Sequence, residues 1–146
     1  MFFSYDEEKF PIVIFKFDGH IQSNSDFDLF LKKWEDLYKY NKKFILVFDT
    51  LNMDFPHIKY CFKMTAFIKK LRKKDPQYLQ KSYIITENNF VVSLLKLIFF
   101  IQPPVANVYL TNELYENVIN KLTDGNSDNI PILDTFHPGN PVLPFL

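Results

Sequence analysis

The chain alternates short apolar segments with helical segments over most of its length. Apolar runs at residues 44–48, 81–86 and 106–110 have the length of strands, and each is followed by a segment whose apolar residues recur every three or four positions. A lone domain that alternates in this way forms a sheet covered by helices. The length of 146 residues suits one such domain with one core.

Two further strands are predicted near the start, at residues 2–5 and 11–17, on either side of a polar turn. Ser25 is predicted to cap the helix that follows them. Trp34 falls on the apolar stripe of this helix, so we expect a core aromatic residue; an interface anchor is the alternative.

Three more helices are predicted, at about residues 56–74, 88–101 and 111–122. The segment 88–101 is apolar on nearly every side, whereas a helix on a sheet needs only one apolar face. We therefore expect part of it to be covered by the C-terminal tail, by a second copy of the chain or by another protein. Its candidate contact residues are Phe90, Leu94, Leu97 and Phe100.

The composition changes after Leu122. Residues 123–146 contain four of the nine prolines together with many apolar residues, including Phe136 and Phe145. This combination predicts an extended arm that lies on an apolar surface, either of its own domain or of a neighbour. We thus expect an α/β domain at residues 1–122, with one mixed, largely parallel sheet of four to five strands and about four helices, and an arm at 123–146.

Three stretches resemble the STAS domain, the fold of bacterial anti-sigma factor antagonists: FILVFDTLNMDFPHIKYCFKMTAFIKKLRKK, ENNFVVSLLKLIFF and VYLTNELYENVINKL. The resemblance covers about residues 10–122 and is one of pattern. It implies a fold used mainly for protein interactions. The phosphorylated serine or threonine of that family is not expected here, because the corresponding turn, residues 52–57, contains neither serine nor glycine. The lipid-binding Sec14 type has a similar element order.

Polar side chains cluster after two of the predicted strands. If those strands are parallel neighbours, both sets lie at the carboxyl edge of the sheet, where α/β folds bind ligands. Aspartate and histidine can bind metals or transfer protons, but their spacing matches no metal motif and suits turns and caps equally well. We expect no catalytic residue, cofactor or metal. The cluster consists of Asp18, His20, Asp49, Thr50, Asn52, Asp54 and His57, of which the last five are candidate interaction residues.

Charge and cysteine content restrict the partners. Seventeen basic and seventeen acidic residues give zero net charge, which argues against nucleic acid. Cys61 is the single cysteine and is expected to be buried and inert, and no signal peptide or membrane span is recognised, so a cytoplasmic location is expected. The basic run Lys69–Lys74 is expected to be a solvated helix end; contact with an anionic membrane or an acidic partner is the alternative.

Three functions follow as hypotheses. The first is a non-enzymatic protein-interaction module that binds a protein partner or a second copy of itself. The alternative is a small lipid or hydrophobic-ligand binding protein of the Sec14-related type. The third is an enzyme that uses Asp18, His20, Asp49 and His57.

Overall fold

The computed structural model describes residues 1–54 and 56–139. The strands are β1 (Phe3–Asp6), β2 (Ile12–Gly19), β3 (Phe44–Met53), β4 (Leu79–Ile85), β5 (Val108–Thr111) and β6 (Asp134–Phe136). The helices are α1 (Asn24–Asp36), α2 (Ile58–Leu71), α3 (Asn89–Ile101) and α4 (Tyr115–Thr123). Short 3₁₀ turns follow α1 and α4, at Leu37–Tyr40 and Ser127–Asn129.

The six strands form one mixed sheet in their sequence order, from β1 to β6. Strands β2 to β5 are parallel, and β1 and β6 pair antiparallel at the two edges. The predicted fold class, a mixed and largely parallel α/β sheet, is confirmed. The sheet has one strand more than the four to five expected, because Asp134–Phe136 in the C-terminal segment pairs with β5. Three residues are too few to show a strand periodicity in the sequence.

The sheet has an unequal distribution of helices on its two faces. Because β2 to β5 are consecutive neighbours and parallel crossovers share one hand, α1, α2 and α3 lie on the same face. The core on this face contains Phe15, Leu46 and Ile84 from the strands. The opposite face is covered by α4, whose Val118 and Ile119 pack in a second core.

Helix α3 lies against α2 as well as above the sheet. Its Ile98 packs with Cys61 and Ile68 of α2, and all three are buried. The predicted core position of Cys61 is confirmed, as is that of Trp34, which is 7% exposed.

The observed helix and strand boundaries correct several of the predicted ones. Ser23 caps α1 instead of Ser25, because its hydroxyl oxygen accepts a hydrogen bond from the Asp26 N–H at 3.1 Å. Helix α2 begins two residues after Pro56, where His57 is the N-cap, and it ends at Leu71. Helix α4 begins only at Tyr115.

Strand β3 is the largest correction. The apolar run predicted a strand at 44–48 and a loop from Asp49, but β3 continues to Met53. The polar residues remain in the strand because both neighbours pair with it: Asp49 lies opposite Lys16 of β2 and Ile85 of β4. Beyond Asp49 the pairing continues with β2 only, where Asn52 lies opposite Asp18. These ladder hydrogen bonds outweigh the low strand propensity of Asp and Asn.

None of the helices in residues 1–54 and 56–139 is long and apolar enough to cross a bilayer.

Candidate functional site

The polar cluster does come together at the carboxyl edge of the sheet. Asp18 of β2 lies opposite Asn52 of β3, as expected for parallel neighbours. The Asp54 N–H donates to the Gly19 carbonyl at 2.7 Å, which joins the two loops. His20 Nδ1 lies 3.7 Å from Asp54 Oδ2, and both side chains are about two-thirds exposed.

The other members of the cluster have local structural roles. Asp49 Oδ1 accepts the N–H of Leu51 at 3.1 Å, and His57 Nδ1 accepts the N–H of Lys59 at 3.1 Å as the N-cap of α2. Thr50 follows Asp49 in β3, so the two side chains lie on opposite faces of the sheet. Among the residues that the structure describes, no three His, Cys, Asp or Glu side chains come close enough to hold a metal ion.

A cavity of about 150 Å³, partly open to solvent, lies between the sheet and helices α1, α2 and α3. Its walls are almost entirely apolar: phenylalanines from the N-terminus, β2 and α1 on one side, and aliphatic side chains from α2 and α3 on the other. Thr50 and Leu94 are the two candidate residues from the sequence that line it.

Rigid aromatic packing explains why the core leaves this space open. The Phe30 ring lies 5.1 Å from Phe17 and 5.2 Å from Phe15, in edge-to-face contacts, and Trp34 lies 5.3 Å from Phe48. Rings have few rotamers, so a wall built from them does not collapse into a void as a flexible aliphatic chain does.

Ser82 makes further room at the centre of the sheet. It lies on β4 between Leu46 of β3 and Val108 of β5, and both of these neighbours are buried. A serine at this position lacks the volume of the aliphatic residues on either side. The strand sequence Ser-Tyr-Ile-Ile shows the interruption, but it does not show that the serine faces a cavity.

The polar groups in the cavity wall differ in their hydrogen bonding. Thr50 Oγ1 donates to the Ile85 carbonyl at 2.7 Å. The indole N–H of Trp34 is buried and has no acceptor among the described residues. Burial raises the pKa of the Cys61 thiol, which outweighs the opposing effect of a backbone hydrogen bond. Cys61 is therefore a neutral wall residue and a poor nucleophile.

The outer side of α2 and α3 is also apolar. We define the outer apolar surface as Ile58, Phe62, Leu97, Phe100 and Ile101; Phe62 is 53% exposed and Phe100 57%. Within each helix these residues are spaced so that they lie on the outer side, away from the sheet. Leu97 is half-buried and the other four are exposed. Single exposed apolar residues are ordinary, but four on two adjacent helices are not.

The remaining apolar candidates divide between this surface and other places. Phe90, at the start of α3, is 65% exposed. Phe136 of β6 contacts α3, because its ring lies 4.8 Å from that of Phe99. Phe145 lies outside the described residues.

The basic run at the end of α2 is partly engaged within the domain. Lys70 and Lys74 contact Glu35 of α1 at 3.0 and 3.3 Å. Arg72 donates to the carbonyls of Pro103 and Pro104, each at 3.3 Å. Lys69 and Lys73 are exposed, so they are the two cations of the run best placed to meet an outside partner.

Comparison with models of known protein families, with curated proteins and with solved structures finds no match to this chain.

Proposed function

We propose that the protein binds a small apolar ligand in the cavity between the sheet and helices α1 to α3. The observation that carries this proposal is an apolar space of about 150 Å³ inside an otherwise packed core. The wall is apolar and partly open to solvent, so a ligand that covers it gains about 25 cal/mol for each Å² of apolar surface removed from water.

The volume of the cavity indicates the size of the ligand that it can hold. A dry apolar cavity of about 150 Å³ in another protein accommodates benzene. The cavity here has the same volume, and so fits a single ring or a short branched chain. Half-buried Ile21, Met53 and Pro56 line it at the carboxyl edge of the sheet, and we expect the ligand to enter on that side.

Ligand binding can be measured with benzene and cyclohexane as probes. Both should raise the melting temperature in proportion to the logarithm of their concentration, because a ligand that binds only the folded state stabilises it by mass action. Trp34, the single tryptophan, lines the cavity, and its emission should change at the same concentrations.

Two alanine variants make a matched pair for this test. Ala106 lines the cavity and is buried, whereas Ala66 is on the exposed side of α2. Ala106→Leu should weaken probe binding at least tenfold, and Ala66→Leu should leave it unchanged. A wild-type protein that no probe stabilises would contradict the proposal.

Self-association is the second candidate function, and the outer apolar surface favours it. We propose that its occupant is the C-terminal segment 140–146 of a second copy of the chain. This segment contains Val142, Leu143, Phe145 and Leu146 among its seven residues. The described chain ends at Gly139, three residues after Phe136, which contacts Phe99 of α3.

The length of the segment suits this surface. Seven residues can span at most about 25 Å, and a helix of 13 residues such as α3 is about 20 Å long. Seven residues of extended chain are therefore long enough to lie along the whole helix. This role agrees with the interaction function that the STAS-like resemblance implies.

Light scattering on three further chains tests self-association. The full chain should have the mass of a dimer, and a chain that ends at Gly139 should be a monomer. Phe100→Ser should also give a monomer, whereas Leu114→Ser, at a site that is 58% exposed before α4, should remain a dimer. A monomeric full chain would contradict self-association.

A further inference from the structure

We propose that the ligand of the cavity is a neutral molecule with one hydrogen-bond acceptor, such as a ketone, ester or ether oxygen, which the Ser82 hydroxyl binds. This inference rests on the proposed ligand-binding function and specifies its chemistry.

Ser82 is held firmly at the cavity wall. Its side chain lines the cavity and the residue is only 3% exposed. Its backbone N–H donates to the Asn107 carbonyl at 2.9 Å, and it lies in register with Leu46 and Val108 of the neighbouring strands. The hydroxyl group therefore has a fixed place in the middle of the sheet and faces the cavity.

The Ser82 hydroxyl makes no hydrogen bond with any residue in the described part of the chain. The hydroxyl faces the cavity and is open to a hydrogen-bond partner there. The Trp34 N–H, in the same wall, has no acceptor among these residues either. Both groups can donate, so the complementary ligand group is an acceptor.

Water can bind the Ser82 hydroxyl, but it leaves the rest of the almost wholly apolar wall without favourable contacts. The Thr50 hydroxyl, the nearest comparable group in β3, already donates its proton to Ile85. A small organic molecule with one oxygen satisfies the serine and also fills the apolar space.

The absence of charge restricts the ligand further. The residues that line the cavity include no Lys, Arg, Asp, Glu or His among those described. An ionised carboxylate or amine would lose its hydration there without gaining a counter-charge, at a large cost in free energy. The ligand group inside the cavity is therefore neutral.

The test compares cyclohexanone with methylenecyclohexane, in which a CH₂ group replaces the carbonyl oxygen at nearly constant shape. Calorimetric titration of the full chain should give a tighter dissociation constant for the ketone. Ser82→Ala should weaken cyclohexanone binding about fivefold, the size of one neutral hydrogen bond, and should leave methylenecyclohexane binding unchanged.

Thr50→Val is the matched control, because its hydroxyl lines the same cavity but is already bonded to a carbonyl. This variant should melt at a lower temperature and retain the ratio of the two affinities. In the absence of any probe, Ser82→Ala should melt at about the same temperature as the wild type, because the Ser82 hydroxyl makes no hydrogen bond within the described residues that the substitution would remove.

The outcomes separate this inference from the function on which it rests. If neither probe binds the wild-type protein, the proposed cavity function is wrong. If both bind and Ser82→Ala weakens them equally or not at all, the cavity function stands and the role of Ser82 is wrong.

Discussion

Burial in the sheet changes the ionisation of one tyrosine, Tyr83. Tyr83 of β4 is 3% exposed under α4, and its ring stacks on Tyr109 at 5.2 Å. Burial raises the pKa of Tyr83 to about 12, with smaller contributions from Tyr109 and Asp128. The folded protein thus retains a phenol proton over a pH range in which the unfolded chain loses it.

The raised pKa of Tyr83 leads to a prediction at alkaline pH. Between pH 10 and about 12 the unfolded state binds fewer protons than the folded state, so stability falls as the pH rises. We expect Tyr83→Phe to reduce this fall by up to roughly 1.4 kcal/mol per pH unit. Urea unfolding of both proteins at pH 8, 10 and 11 measures the effect, and parallel curves would contradict it.

Helices α1 and α2 are joined by ion pairs as well as by apolar contacts in the core that they share. Glu35, at the end of α1, lies between Lys70 and Lys74 of α2 and its flanking turn, and its side chain is 25% exposed. Burial raises the pKa of Glu35, but hydrogen bonds to the two lysines and their charges together hold it below its usual value. The carboxylate stabilises the fold in its ionised form.

We expect Glu35→Gln to destabilise the protein by about 1 kcal/mol at pH 7. Because the folded pKa is lowered, the contribution is present above the unfolded value of 4.5 and is lost as the pH falls through the folded pKa. The difference between variant and wild type should therefore shrink below pH 4.5 in a urea-unfolding series.

Asp36→Asn is the control for this experiment. Its lysine partners, Lys32 and Lys39, lie three or four residues away in the same helical segment, so it joins no two elements. Such local pairs contribute about 0.3 to 0.5 kcal/mol. If Asp36→Asn lowers the free energy of unfolding as much as Glu35→Gln does, the ion pair between α1 and α2 stabilises the fold no more than a local pair.

At the scale of the whole molecule, the segment after α4 covers the edge of the sheet at β5. Strand β6 pairs with β5, and the Leu133 N–H donates to the Leu110 carbonyl at 2.8 Å. Ile130 is 3% exposed and packs in the core beneath α4. Residues 127–136 therefore complete both the sheet and its second core.

A chain that ends at Leu122 should consequently have a melting temperature lower by about 10 °C, and it should aggregate. Both effects follow because the truncation exposes the edge of β5 and the core around Val118. A chain that ends at Gly139 retains β6 and should keep most of the melting temperature. Calorimetry on both chains measures the difference. If their melting temperatures fall equally, β6 and Ile130 contribute little to stability.

The predicted and observed sites differ in an instructive way. The parallel neighbours β2 and β3 were predictable, and with them the meeting of Asp18 and Asn52 at one edge. The cavity was not, although a hydrophobic-ligand binding protein was one of the alternatives that the sequence left open. Ser82 was overlooked because a serine in a strand sequence looks the same whether it is exposed or faces a cavity.

The sequence by itself determined the order of the elements and the α/β class, because the spacing of apolar residues is a local property that each segment carries alone. Tertiary structure decided the length of β3, the pairing of β6 with β5 and the cavity. These depend on groups brought together from distant parts of the chain, as Phe2, Trp34 and Ser82 are in the cavity wall. The volume between such groups is set by how rigid side chains pack against one another, which no single segment encodes.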